Sequence, residues 1–468
     1  MSLPSIYINQ RGFVIRKKCY TIDILNDIKE ELLVKPNVFN MYGNEDDNIE
    51  FQLELENEKK MYIPKFYGLK KFNEKPKIKY PECEKININF AFNLRELQKK
   101  PAEIVLESYK NTGGGILHLQ CGFGKTIMAL YFVAKLGVKT LVIVHKEFLL
   151  NQWVERINQS LPDAKIGRIQ GKVFDVEGKD IVIAMLQTLW RLKPKLGQFD
   201  CFGHTIIDEC HRIPSEKFSK ALQKISTRYM LGLTATPNRK DGLMKVLKWY
   251  IGDIIYSQKL ISNNNVNVER HIILSNNGYN IPEYDFKKRP KVSTMINNIC
   301  YNLPRTIYIV KIINNIIKGF FNICDRQILI LSDRRRHLED IYNIVVKSNI
   351  CSVGYYVGGM KNDKLKKSEE KQLLLGTYAM AKEGLDIKTL NCLILASPKK
   401  DIIQAVGRIL RKTHAKIKPL IIDVIDNFSI FTNQARARNK LFKKRDYNIK
   451  TVKYNIDNLD ESSSSDSE

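Results

Sequence analysis

Leu119-Gln120-Cys121-Gly122-Phe123-Gly124-Lys125-Thr126 is a glycine-bounded turn that ends in Lys-Thr, and its flanks decide how the chain folds. Before it, Gly115-Ile116-Leu117-His118-Leu119 is a short apolar run next to glycine, the pattern of a buried strand. After it, Ile127 to Leu136 contains no breaker and predicts a helix that stops at Gly137. Strand, glycine turn and helix together are the setting in which such a turn wraps a phosphate chain. Backbone N–H groups and a helix N-terminus then face the negative charge. In that reading Lys125 reaches the terminal phosphates and the Thr126 hydroxyl holds Mg²⁺. The usual first glycine is missing, so the loop by itself is also compatible with an ordinary strand–helix turn that happens to carry a lysine.

Reading outward, apolar stretches recur at intervals on both sides of a central crossover. Thr140-Leu141-Val142-Ile143-Val144, Ile181-Val182-Ile183-Ala184 and Thr205-Ile206-Ile207 are buried-type strands in the first half. The last runs into Asp208-Glu209-Cys210-His211. Two carboxylates at the C-terminal end of a strand stand where ligands bind in open α/β sheets. Asp208 is suited to hold Mg²⁺ through water, and Glu209 to orient an attacking water. Tyr229-Met230-Leu231-Gly232-Leu233 leads into Thr234-Ala235-Thr236-Pro237, whose hydroxyls would sense the acidic pair. Ahead of the glycine turn, Arg95 and Gln98 are read as sharing a helical face, with the amide able to pair with an adenine edge.

Residues 251 to about 290 are rich in Asn, Lys and Pro and read as a crossover. A second strand–helix alternation follows, with strands at Ile328–Leu331, Leu373–Thr377, Cys392–Ala396 and Leu420–Ile425. Helices between strands imply a parallel sheet. This half has no phosphate loop. It carries Gln404-Ala405-Val406-Gly407-Arg408-Ile409-Leu410-Arg411, in which Gln404, Arg408 and Arg411 share a helical face. Such arginines are ordinarily solvated, unless a nucleotide in the other half needs a charge partner.

The whole chain sets limits. Its 468 residues exceed a single core, and the 44% apolar content supports buried cores. No apolar run reaches transmembrane length, and Met1-Ser2-Leu3-Pro4 begins no basic-then-apolar signal, so a soluble, intracellular protein without membrane contact is expected. Nine cysteines with no Cys-x-x-Cys pair argue for free thiols. A net charge of +26 implies a polyanionic partner, nucleic acid first, although a general lysine bias also contributes to it. Residues 1 to 88 carry no catalytic signature, and Phe51-Gln52-Leu53-Glu54-Leu55 points to a small mixed or β-rich module. The basic connector Lys70 to Lys79 follows. The Ser-rich acidic end, Asp460 to Glu468, has the composition of a disordered tail.

Taken as a set, these motifs resemble the superfamily 2 helicases and translocases over residues 90 to 450. Within them, Leu119-Gln120-Cys121-Gly122 and Arg239-Lys240-Asp241 are similar to the XPB-like branch. Leu329-Ile330-Leu331-Ser332-Asp333-Arg334 and Ala396-Ser397-Pro398 are similar to DNA helicases of phages and large DNA viruses, including the poxvirus transcript-release helicases. The resemblance implies an α/β fold of two RecA-like parallel-sheet domains in tandem with a small N-terminal accessory domain. Its divisions are 1–88 accessory, 89–256 ATP-binding domain, 257–292 linker, 293–450 second domain and 451–468 tail.

The resemblance also implies roles. Arg95 and Gln98 would recognise adenine. Cys121, Gly122, Phe123, Gly124, Lys125 and Thr126 would bind phosphate, with Thr126 and Asp208 on Mg²⁺. Asp208, Glu209, Cys210 and His211 form motif II. Thr234, Ala235 and Thr236 would couple hydrolysis to strand movement, and Gly384 and Asp386 would meet ribose and strand. Glu209, Gln404, Arg408 and Arg411 would be catalytic, the arginines acting as fingers. His145, Gln152, Trp153 and Thr377 would contact nucleic acid.

The function so implied is an ATP-dependent DNA helicase or translocase of 3′ to 5′ bias, with ATP and Mg²⁺ as cofactors. Transcript release, recombination and repair all fit, and RNA polymerase or the transcription machinery is a candidate partner. If the source is viral, the host cytoplasm or viral factory is the expected location, with packaging in the virion. An RNA helicase is the first rival, because phosphate contacts carry no sugar information. A non-enzymatic nucleic-acid clamp with a degenerate motor is the second.

Overall fold

The computed structural model describes residues 5–35, 50–120, 122–195, 197–212, 215–235, 242–258, 265–276, 278–319, 326–383, 387, 389–410 and 417–459. The chain divides into two compact units, Met1–Gln258 and Lys259–Glu468.

In the first unit an eight-stranded sheet runs in the order Val173–Asp175, Ile166–Gln170, Ile181–Met185, Thr140–Val144, His204–Ile207, Tyr229–Thr234, Gly114–His118 and Ile254–Ser257. All neighbours are parallel except the first pair. Helices on both faces bury the strands, and this explains continuous apolar runs where alternation would mark a half-exposed sheet. Parallel strands present their C-terminal ends at one edge, so the loops after 118, 144, 207 and 234 gather there.

Strands within residues 5–35 and 50–80 build a five-stranded mixed sheet, but not a separate core. Ile8, Phe13, Ile15, Ile63 and Phe66 are buried in the same cluster as Ile116, Leu141 and Ile143. The buried Lys65 ammonium donates to the Arg228 carbonyl at 2.8 Å, and burial, followed by the Arg228 charge, pushes its pKa down to about 7. Tyr67 meets Trp249 edge-on with 5.4 Å between ring centres. The basic connector is structured in part: Lys70 pairs with Asp253 at 2.6 Å, and Lys77–Ile78 joins the sheet beside Ile6–Asn9.

The second unit holds a seven-stranded sheet, all parallel, in the order Val353–Tyr356, Leu373–Thr377, Gln327–Ser332, Leu390–Leu395, Leu420–Asp426, Asn267–Leu274 and Asn448–Asn455. Two sequence expectations are corrected here. Asn267–Leu274, taken as linker, is an internal strand between two partners that lie far along the chain. Asn448–Asn455 is the edge strand beside it, so ordered structure runs past residue 450 and reaches Leu459; residues 460–468 lie outside the described ones. The first reads as linker from the Asn-rich residues around it and the second groups with the acidic, Ser-rich end; long-range pairing overrides both readings. A bidentate pair, Arg305 to Asp426 at 2.8 and 2.9 Å with both side chains fully buried, ties helix Leu303–Ile317 to strand Leu420–Asp426.

Each unit buries a neutral histidine. His204 meets the Tyr109 hydroxyl at 2.9 Å, and burial pushes its pKa down to about 3. His337, against Ser332 at 3.0 Å, is pushed down to about 3 by burial and by the Arg305 charge. Unfolding returns both to about 6.5, so the unfolded chain binds more protons between the two values. Stability is therefore present above pH ~6.5 and is lost as pH falls, by on the order of 2 kcal/mol per histidine at pH ~5. Melting temperature at pH 7.5 and at pH 5 should show the drop, and His204→Gln should make it shallower. Equal slopes in the two proteins would exclude this cause.

Candidate active site

The glycine turn closes onto helix Lys125–Leu136, capped by Gly124. Gly122 and Gly124 have φ of +83° and +93°, conformations that side chains rarely adopt. A Cβ on Gly124 would come within 2.7 Å of Gln98 Nε2, so the close approach also requires glycine there. Thr126 is the second helical residue.

Behind the turn, Arg95 and Gln98 do not share a helical face as expected. Arg95 is the N-cap of helix Glu96–Asn111, and Gln98 Oε1 accepts from its backbone N–H at 2.9 Å. The Gln98 amide, buried, donates to the Phe123 carbonyl at 2.8 Å, and the Arg95 guanidinium donates to the same oxygen. The guanidinium also lies 5.9 Å from the centre of the Phe123 ring. The pair thus clamps the turn's backbone.

The acidic pair faces the lysine. Lys125 Nζ lies 3.2 Å from Glu209 Oε1, with both side chains mostly buried. Glu209 Oε2 lies 3.3 Å from His211 Nδ1, and that nitrogen is 2.8 Å from the Thr234 hydroxyl. One run of polar contacts therefore leads from Lys125 through Glu209 and His211 to Thr234. Glu209 has φ of +46°, left-handed for a residue with a side chain. Such strain persists where the surroundings enforce it, commonly at functional sites. Asp208 Oδ1 accepts from the Glu209 backbone N–H at 2.9 Å. Burial, and next the Glu209 charge, push the Asp208 carboxyl up to about 6, against the pull of Lys125. A cation beside it would relieve that cost. Cys210 is fully buried and packs against Gly232.

Trp153 corrects an expectation. It is only 1% exposed, and its indole Nε1 donates to Asp208 Oδ2 at 2.9 Å. Helix Glu147–Ser160 turns that face inward, so Trp153 positions the carboxylate and is closed to a strand of nucleic acid. Gln152 and His145 stay partly exposed, the His145 carbonyl accepting from Gln187 at 2.7 Å. Two further residues, given no role by the sequence reading, stitch this edge together. His118 bridges Ser257 Oγ at 2.6 Å and the Ala235 carbonyl at 3.2 Å. Gln258 accepts from the Gln120 N–H at 3.1 Å. A polar residue inside an apolar strand was the signal for His118; Gln258 had none.

In the second unit Gln404 and Arg408 lie on helix Ile403–Ile409, both buried. Arg408 Nε donates to the Ala381 carbonyl at 2.9 Å, in the helix Tyr378–Glu383 that follows strand Leu373–Thr377. The Thr377 hydroxyl accepts from Met380 N–H at 3.4 Å, and Thr377 is partly exposed. Cys121, Thr236, Gly384, Asp386 and Arg411 lie outside the described residues. Among the described residues no group of three His, Cys, Asp or Glu side chains could hold a metal by itself, and no helix is long and apolar enough to cross a membrane.

A parallel sheet with a phosphate loop, a facing acidic pair and a second parallel-sheet unit defines a nucleotide-driven motor class, and similarity to known proteins agrees. Residues 91–239 match the family described as Type III restriction enzyme, res subunit. A protein of Acanthamoeba polyphaga mimivirus, provisionally named an ATP-dependent RNA helicase, is 35% identical over 457 residues, 94% of this chain and 86% of the relative. The chain belongs to the superfamily 2 helicases and is a homologue of helicases from large DNA viruses. It is an enzyme, a nucleic-acid-dependent ATPase of the helicase kind.

Among solved structures, the DNA-bound Type ISP restriction-modification enzyme LlaBIII matches with a TM-score of 0.54 and 17% identity, over 78% of this chain and 32% of that one. A variant of S. cerevisiae Dbp5 bound to RNA and ADP BeF3 matches with a TM-score of 0.51 and 14% identity, over 78% and 91%. Both support tandem RecA-like units as the fold.

Proposed function

We propose that this helicase is a DNA translocase of 3′ to 5′ bias, of the XPB-like branch, driven by Mg²⁺-ATP. The observation that carries the ATPase site is the convergence of Lys125, Glu209, His211 and Thr234 within hydrogen-bonding reach at one sheet edge. The donor set suits a magnesium triphosphate: backbone N–H groups at a helix start, a lysine, a threonine hydroxyl and a carboxylate whose burial favours a cation. Thr126 and Asp208 would hold the metal, which supplies charge neutralisation for phosphoryl transfer. Glu209 accepts the proton of the attacking water, and Lys125 holds the phosphate oxygens. Arg95 and Gln98 fix the loop from behind and leave their adenine role to be tested. His211 and Thr234 relay the state of Glu209 toward the coupling stretch.

The choice of DNA rests on the XPB-like and viral DNA-helicase motifs, while the +26 charge suits either nucleic acid. The name of the mimivirus relative favours the second reading, an RNA helicase. ATPase stimulation by matched single- and double-stranded DNA and RNA discriminates them. Stimulation by DNA several-fold above RNA is expected, and the reverse order would overturn the choice. Within the same proposal the protein serves transcript release, or recombination and repair, alongside the transcription machinery.

By its resemblance to motif VI of the superfamily, Arg408 would supply transition-state charge in the same proposal. Arg408→Ala should lower kcat by ~10² with nucleotide affinity within several-fold, since the lost interaction forms mainly in the transition state. Because Arg408 also bonds Ala381, the melting temperature is measured alongside; Arg408→Lys keeps a charge but not that geometry, and should stay impaired. A kcat within a few-fold of wild type in a folded Arg408→Ala protein would remove the arginine from catalysis.

A further inference from the structure

Residues 279–291 connect strand Asn267–Leu274 to helix Val292–Tyr301 and end in a turn with an unusual tip. Phe286 is 90% exposed, and Tyr284 and Ile281 beside it are 53% and 60% exposed. Single exposed apolar residues need no explanation, but three within six residues on one projecting turn do. The turn is held firmly. Tyr284 and Pro290 bridge antiparallel, and Asp285 N–H donates to the Arg289 carbonyl at 2.8 Å. Asp285 Oδ1 accepts from the N–H groups of Lys287 and Arg289, each at 2.9 Å, and Oδ2 from Arg289 Nε at 2.8 Å. At the base, Glu283 accepts from Asn298 at 2.6 Å and Tyr279 is buried against Asp426. Lys288 takes φ of +56° to close the bend. An aromatic ring is therefore presented to solvent on a scaffold whose ordering is complete before any partner arrives.

Charge selects the partner. Lys287, Lys288, Arg289 and Lys291 all lie within five residues of the ring along the chain, and Lys287 Nζ is 5.7 Å from its centre. The two acids of the segment, Glu283 and Asp285, are engaged inward as described. Lysine is depleted at protein–protein interfaces, whereas an aromatic ring among cations is the make-up of sequence-neutral single-strand binding. We propose that the 284–290 turn is a stacking post for unpaired nucleotides: the Phe286 ring stacks on a base while Lys287 and Lys288 neutralise adjacent phosphates. The proposal rests on the nucleic-acid-dependent motor reading and is indifferent to the choice between DNA and RNA.

The test uses the full chain. Its three tryptophans, Trp153, Trp190 and Trp249, all lie in the first unit, so Phe286→Trp places a reporter in the second. Titration with oligo-dT and oligo-U should quench the variant's emission beyond that of wild type, saturating with the affinity read from a labelled strand. Phe286→Ala should weaken single-strand affinity roughly ten-fold, and Phe286→Tyr should restore it. Lys287→Gln with Lys288→Gln should flatten the log affinity against log salt slope by about 1–2. If the tryptophan emission is unchanged at saturation by a strand that stimulates the ATPase, the stacking post is wrong and the motor reading stands. If no strand stimulates the wild-type ATPase, it is the motor reading that fails. Wild-type strand affinity in Phe286→Ala, together with loss of binding to a protein partner, would likewise overturn the proposal in favour of protein docking.

Discussion

Glu209→Gln is expected to bind ATP within a few-fold of wild type and to hydrolyse it ~10²–10⁴-fold more slowly, the range for losing a positioned general base. The substitution is nearly isosteric, so the amide oxygen can still accept from Lys125, now 3.2 Å from the carboxylate. What disappears is the charge that takes the water's proton. The left-handed backbone at 209 is unchanged by a side-chain exchange, which separates chemistry from loop geometry. Equilibrium binding of a fluorescent nucleotide and single-turnover hydrolysis provide the two readouts. A cleavage rate equal to wild type would falsify the role of Glu209, and loss of binding together with rate would assign it to the pocket's architecture.

Lys125→Ala should be more severe, because it removes affinity and rate together. In the proposed site the lysine would stand between the triphosphate and two mostly buried carboxylates. Without it, Asp208 and Glu209 face an anionic ligand with no compensating charge from the loop. Turnover should fall by at least ~10³, and nucleotide affinity should drop as well, since a phosphate-binding lysine acts in ground and transition states alike. The fold should stay intact, and the melting temperature is measured alongside because the pairing of Lys125 with Glu209 is lost as well. Turnover within a few-fold of wild type would place the ATPase site elsewhere.

Much of the motor was legible in the chain because its signals are local. Gly122, Gly124, Lys125 and Thr126 are read from one turn and its flanks. The Asp208-Glu209 pair is read from its place at the end of an apolar strand, and the parallel sheets from strands that alternate with helices. Each depends on residues within about ten positions of one another, where periodicity and turn chemistry are strong.

What depends on distant partners was not legible. Asn267–Leu274 reads as linker by composition and becomes a strand because Leu420–Asp426 and Asn448–Asn455 flank it. Trp153 reads as a surface contact, yet its helix face turns it onto Asp208, 55 residues away. The bonds from Arg95 and Gln98 to Phe123, and from Gln258 to Gln120, likewise join segments brought together only by folding. The glycine turn, the acidic pair at a strand end and the parallel α/β architecture follow from short-range pattern that single stretches of chain carry alone. Which polar side chains are buried against which emerged with packing, because burial and hydrogen-bond partnership are properties of the packed chain and not of the local stretch.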